Sequence, residues 1–261
     1  MERIKKGLQD TVKYLPLLRE LIKRDFKMKY KRTYLGVLWT LLDPLLHMLV
    51  IIIVFSQLLG RDIEHFAAYV MTGRLVVNFF TQATGFCISA FVGGGLYIKS
   101  VKMPLYMLPL SKTISALINT ALSMIVLALI LVFTGVHLRP MALLFFIPVL
   151  YAFVFSYGFG LALGTWMVFF RDVSHLHNVF TTLLFFLTPI FYQIDIIPPS
   201  YMWLMRSNPL YHYVTMLRNL VVYGNMPALA DHMICTAFCV GAMIMGIAAF
   251  RKGKNTFIMH L

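Results

Sequence analysis

Apolar residues run along this chain in long blocks, without the alternating or one-in-three spacing of a soluble fold. A helix needs about 20 mostly apolar residues to cross a bilayer, and six stretches reach that length. They are 35–60, interrupted by Asp43; 66–97, interrupted by Arg74; 113–138 and 140–170, both free of Asp, Glu, Lys and Arg; 173–194; and 228–250, with Asp231 at its start. The pattern predicts an all-α integral membrane protein with six transmembrane helices. A basic segment over 1–34 precedes a single transmembrane domain over 35–261.

Three segments fit neither a plain span nor a plain loop. In 17–32, LLRELIKRDFKMKYKR, the residues Leu18, Leu21, Ile22 and Phe26 share one helical face, and Glu20, Arg24, Lys27 and Lys31 share another. This predicts an amphipathic helix lying along the membrane interface. The segment 97–112, YIKSVKMPLYMLPLSK, is broken by Pro104 and Pro109 and is too apolar for a solvated loop. Either a docked partner or the protein's own helices must cover Val101, Met103, Leu105 and Met107. The third segment, 195–225, is divided by Pro198-Pro199 and Asn208-Pro209 into two short helical pieces. Its aromatic residues Tyr201, Trp203, Tyr211 and Tyr213 suit the headgroup level, which predicts a re-entrant or surface hairpin.

Composition agrees with a bilayer as solvent: 60 % of the 261 residues are hydrophobic and 13 % charged, with a mean hydropathy of +0.79. Average soluble chains are roughly 45–50 % apolar and about 25 % charged. The net charge of +13 does not point to nucleic acid, because 11 of the 23 Lys and Arg residues crowd into 1–32, ahead of the first apolar run. Basic residues beside a span set orientation and meet lipid headgroups. With the N-terminus inside, 18 Lys and Arg fall on the inner side and four on the outer, Arg74 lying within a span. Both termini and 97–112 are therefore predicted to be cytoplasmic, and 195–225 external. The N-terminus lacks the apolar core and cleavage site of a signal peptide.

No catalytic constellation is visible. Cys87, Cys235 and Cys239 lie in apolar stretches, odd in number and without a C-x-x-C pair, so they read as packing residues and not as disulfides or a metal site. His175 and His177 are two apart and do not share a helix face. Gly93-Gly94-Gly95 is followed by no Lys-Ser/Thr, and Gly253-Lys254 lacks the remainder of a phosphate-binding loop. The chain is thus expected to be no enzyme, to hold no cofactor or metal, and not to bind or hydrolyse ATP with Mg by itself. A membrane enzyme would need a cluster of carboxylates or histidines at one face. A secondary transporter would show internal repeats and paired midplane carboxylates.

Ionisable residues inside spans are candidates for function. Asp43 lies near the inner end of the first span and Arg74 about two turns into the second from the outside, so pairing between them is not expected. At 100° per residue, Arg74, Asn78, Gln82, Gly85 and Ser89 fall within roughly 80° of arc on the second span, flanked by Phe79 and Phe86. Such a stripe must face protein or water. Helix packing accounts for it, and so does the wall of a watery channel, with Phe79, Gln82 and Phe86 as its contacting residues.

Four strings, in order, carry a family resemblance: KYKRTYLGVLWTLLDPLL at 29–46, KMPLYMLPLSK at 102–112, FFRDVSHL at 169–176, and TPIFYQIDIIPPSYMWLMRSNPLYHYVTMLRNLVVYG at 188–224. Together they resemble the permease subunit of bacterial ABC exporters for polysaccharide, O-antigen and teichoic acid. The resemblance implies a homodimer in the plasma membrane, two nucleotide-binding ATPase subunits docked below, and a lipid-linked glycan as substrate. By the same resemblance, 17–32 is the interface helix. Residues 97–110 are the coupling helix, with Ile98, Val101, Met103, Pro104, Leu105 and Met107 at the ATPase. The hairpin 195–225 carries the outer gate, with Pro198, Trp203, Asn208, Pro209 and Tyr211. Arg74 departs from the family pattern, which has an apolar residue there. A permease for a small lipid or drug is the alternative.

Overall fold

Among residues 14–31, 34–55, 63–94, 103–137, 139–254 and 256–257, which the computed structural model describes, every regular element is helical. Helix α1 spans Leu15–Tyr30 and begins with Pro16 in its first turn, where the missing N–H would have no helical partner anyway. Leu18 and Leu21 are buried, Ile22, Arg24 and Phe26 half-buried, and Glu20, Lys23 and Lys27 exposed. On the exposed face, the hydrogen bond and charge of Lys23 hold the Glu20 carboxyl below its ordinary range.

Helix α2, Trp39–Phe55, follows a 3-10 turn over Gly36–Leu38 and contains Pro44, which removes one bond of its ladder. Helix α3 is Phe66–Ile88, extended by a single turn, α4, over Ala90–Gly93. Gly94 closes that turn by donating its N–H to the Phe91 carbonyl, so the glycine stretch ends the helix. Helix α5 is Met107–Phe133. A 3-10 turn over Pro140–Phe145 leads into α6, Phe146–Phe169, and α7 is Val173–Leu187. Short pieces follow: α8, Met202–Arg206, α9, Pro209–Arg218, and a π turn over Asn219–Tyr223. Helix α10, Leu229–Gly253, is the last long element.

Among the described residues, three helices are long and apolar enough to cross a membrane: Met107–Phe133, Pro140–Phe169 and Leu229–Gly253. Trp39–Val54 and Val173–Leu187 are apolar but shorter. Helix α3 has the length, with 23 residues, but Arg74, Asn78 and Gln82 lower its hydropathy. The boundaries differ from the sequence pattern in three places. The second apolar stretch is expected to run to 97, yet α3 ends at Ile88. Helix α5 begins at Met107, so 107–110, expected in a separate coupling helix, form its first turn. The fifth stretch is expected to reach 194, but α7 stops at Leu187, because Pro189 has no N–H to continue it.

In lipid, apolar surface gains little by turning inward, so close packing holds helices together. The α6–α10 crossing shows this. A Cβ on Gly158 would stand 2.7 Å from the Ala242 backbone, and one on Gly246 would collide with the Gly158 carbonyl. Helix α3 lies at the centre, against α5, α6, α7 and α9. Aromatic rings tie these helices together. Phe80 stacks on Phe155 at 5.7 Å, and Phe155 meets Tyr213 of α9 edge-on at 5.8 Å. Tyr213, expected at the headgroup level, is instead fully buried. Helix α9 folds back onto the bundle, and its buried face carries Leu210, Tyr213, Val214 and Leu217. A second cluster joins Leu21, Phe91, Leu108, Leu161 and Phe257.

Candidate functional site

The long helix α3 is enclosed on nearly every side. Between Val70 and Ser89 its accessible residues are Arg74, Asn78, Thr81, Gln82, Gly85, Phe86 and Ser89, so the polar stripe is the helix's open face. Arg74, Asn78 and Gln82 line a cleft of about 240 Å³ with Asp43 of α2 and Asn119, Thr120 and Ser123 of α5. Across it the Asn119 side-chain amide donates to Gln82 Oε1 at 3.4 Å. Phe86 and Ser89 line a neighbouring cleft of about 550 Å³, and Lys29 and Asn119 border both. The first cleft is polar, while the second is lined largely by apolar groups, Phe26, Met28, Phe86 and Leu108 among them; both run along α3 as one wall, faced by α5 and capped by α1.

This wall is electrostatically positive. Arg74 and Asp43, expected from sequence at different depths, line one cleft but form no ion pair among the described residues. Arg74 Nε is buried, with no hydrogen-bond partner among the described residues. Lower down, the Lys112 ammonium donates to Asp25 Oδ1 at 2.8 Å and Arg24 donates to the same oxygen at 3.3 Å. The Lys112–Asp25 pair ties α1 to α5. Arrayed neutral donors and acceptors flanked by cations can bind a polar, hydroxyl-rich chain weakly at many points. No group of three or more His, Cys, Asp and Glu among the described residues could hold a metal.

The sequence-predicted residues separate into groups. Arg74, Asn78, Gln82, Phe86 and Ser89 share the wall, while Gly85 turns toward His177 of α7. Phe79 does not join it: it is 1 % exposed and sits in the core, covered by the helices packed beside α3. Ile98 and Val101 lie outside the described residues. Met103 and Leu105 are half-buried against the second cluster, Pro104 is half-buried, and Met107 is fully buried. The protein's own helices therefore cover Met107 completely and Met103 and Leu105 in part. In the hairpin, Pro198 and Trp203 are exposed, and Pro209 and Tyr211 half-buried. Asn208 is buried and caps α9: its Oδ1 accepts from the Leu210 N–H at 3.0 Å, and its amide donates to Thr188 Oγ1 at 2.9 Å.

Sequence reasoning missed Arg218, counting it among outer surface charges. It is 4 % exposed. Its Nε and Nη2 donate to the Tyr69 carbonyl at 3.2 and 3.1 Å, and its guanidinium carbon lies 3.5 Å from the Tyr69 ring centroid. The signal was its setting: a lone cation in the apolar run YVTMLRNLVV, with a glycine, Gly73, one turn after a tyrosine on the facing span. Asn119 and the Asp25–Lys112 pair were also missed.

The family model described as ABC-2 type transporter matches residues 16–222. The O-antigen export system permease protein RfbA of Klebsiella pneumoniae is 26 % identical over 246 residues, covering 92 % of this chain and 93 % of that protein. RfbA of Myxococcus xanthus is 26 % identical over 252 residues, covering 96 % and 97 %. The polysialic acid transport protein KpsM of Escherichia coli is 22 % identical over 247 residues, covering 91 % and 93 %.

Proposed function

Because this chain belongs to the ABC-2 type transporter family, and is therefore the membrane subunit of a transporter and not an enzyme, we propose that it forms the export path for a cell-surface polysaccharide. A separate ATPase drives the movement. The reading rests on the open polar face of α3, where Asn78 and Gln82 meet Asn119 across a cleft. A polar face within a membrane needs partners, and here Gln82 accepts one hydrogen bond from Asn119. The remaining donors and acceptors suit a substrate rich in hydroxyls that slides without a single tight site. The relatives named for O-antigen and polysialic acid transport point to the same substrate class.

In this reading the glycan is lipid-linked, an O-antigen, capsule or teichoic acid. The protein is a homodimer in the inner membrane with six spans per chain, and both termini are cytoplasmic. Helix α1 lies along the inner interface, 97–110 meets the ATPase, and 195–225 gates the outer end. The 18-to-4 distribution of Lys and Arg supports that orientation. A small lipid or drug as cargo is the alternative; the Asn78–Gln82–Asn119 cleft favours a polar substrate, and the apolar lining of the neighbouring cleft, with Phe26, Phe86 and Leu108, suits an apolar one.

The test is to replace Gln82 by Leu and measure surface polysaccharide together with the amount of assembled permease–ATPase complex. Export should fall with the complex intact. Normal export, or loss of assembly, would return the stripe to helix packing.

A further inference from the structure

A third cavity, of about 270 Å³, opens at the hairpin end of the molecule, where α9 meets the start of α3. It lies on the far side of α3 from the polar stripe, since Tyr69 is 140° round the helix from Arg74. Its floor is the buried Tyr69–Arg218 pair. Tyr211 and Tyr223 line its sides, together with Gln193, Asp195, Thr215 and Asn219. Tyr211 is half-buried and Tyr223 exposed, while the floor is closed.

From this arrangement we propose that the hairpin cavity is a binding site for a single sugar ring. The proposal rests on the polysaccharide reading above. A pyranose offers one apolar C–H face and an equator of hydroxyls. Tyrosine rings can take the first, and the amide, hydroxyl and carboxylate groups of Asn219, Gln193, Thr215 and Asp195 the second, the combination of apolar lining and few placed polar groups that marks a small-molecule site. The volume, about 270 Å³, falls just below the usual range of such sites, room for one ring and not for a chain. The floor is rigid, because Arg218 is held to the carbonyls of Tyr69 and Ile190 and Tyr69 Oη donates to the Tyr192 carbonyl at 2.7 Å. Tyr69 lies in α3 and Tyr211 in the hairpin, so a bound sugar bridges the two and biases how the hairpin sits.

The test uses the full chain with its ATPase partner in lipid nanodiscs. The probes are free glucose, galactose, mannose, N-acetylglucosamine, glucuronic acid and sialic acid, read by saturation-transfer NMR. At least one should show ring-proton transfer, weakened about tenfold in affinity by Tyr223→Ala and by Asn219→Ala. Tyr201→Ala, an exposed hairpin tyrosine that does not line the cavity, should leave it unchanged. Each variant must keep the wild-type melting temperature, and Tyr223→Leu, which fills the space without a ring, serves if Tyr223→Ala does not. Transfer from none of the sugars, or transfer equal across all variants, overturns the site. Surface polysaccharide in cells lacking the chain separates the two readings. Its loss alongside absent sugar binding refutes the cavity alone, and its persistence refutes the export reading itself.

Discussion

Arg218 and Gly73 form a pair whose energetic coupling can be measured. Removing the arginine as Arg218→Met deletes a forked, charged hydrogen bond to Tyr69 O, with Nη2 also 3.4 Å from the Ile190 carbonyl. Bonds to a charged group contribute about 1.5–3 kcal/mol. The cation over the Tyr69 ring at 3.5 Å adds roughly 2 kcal/mol in a desolvated setting. Against this, methionine brings no charge out of water, a saving of several kcal/mol in such replacements. The net loss should be about 1–3 kcal/mol, or roughly 4–8 °C in melting temperature at the middle of that range. Gly73→Ala places a Cβ 2.6 Å from Arg218 Nη2, which must push the fork off the Tyr69 carbonyl at about 1–3 kcal/mol. Once Arg218→Met has removed the guanidinium, that collision is gone, and alanine regains up to about 1 kcal/mol over glycine in a helix. The double variant should therefore be more stable than the sum of the single losses by at least about 1 kcal/mol. Denaturation of the purified protein in detergent, followed by tryptophan fluorescence, supplies the four corners of the cycle. Losses that add within about 0.5 kcal/mol would show that Gly73 does not exist to clear space for Arg218.

Three further outcomes are expected. Asp25→Asn, which breaks the 2.8 Å pair with Lys112, should lower stability by about 1–2 kcal/mol in the same melt; the pair keeps some solvent, so this is less than for a fully buried one. Gly246→Leu should abolish folded protein on size-exclusion chromatography, since its side chain would enter the Gly158 backbone, whereas Gly241→Leu, with open space around it, should behave as wild type. Cys87, Cys235 and Cys239 are all buried, so the native protein should take up no impermeant maleimide until denatured; rapid labelling of the folded protein would contradict the packing described for them.

Much of this protein was determined by sequence alone, wherever the governing force acts along the chain. Blocks of apolar residues located the long helices, because the length of a span is a property of consecutive residues. The stripe of Arg74, Asn78 and Gln82 marked the open face of α3, because helical periodicity fixes which side chains share a side. Asn208-Pro209 marked the start of α9, since a side-chain acceptor before a proline is a local signal. What tertiary structure decided depends on which groups stand opposite. Phe79 and Phe86 flank the same stripe in sequence, yet the helices packed beside α3 bury the first and leave the second beside a cleft. Tyr213 and Tyr211 are two residues apart on an aromatic hairpin, and only the fold-back of α9 sends one to the core and the other to a cavity wall. Arg218 could be read as a surface charge until α3 supplied the Tyr69 carbonyl, the ring beneath the guanidinium and the missing Cβ of Gly73. A buried cation is tolerable only with such partners around it, and those partners come from a segment 149 residues away in the chain, a distance over which sequence patterns carry no geometric information.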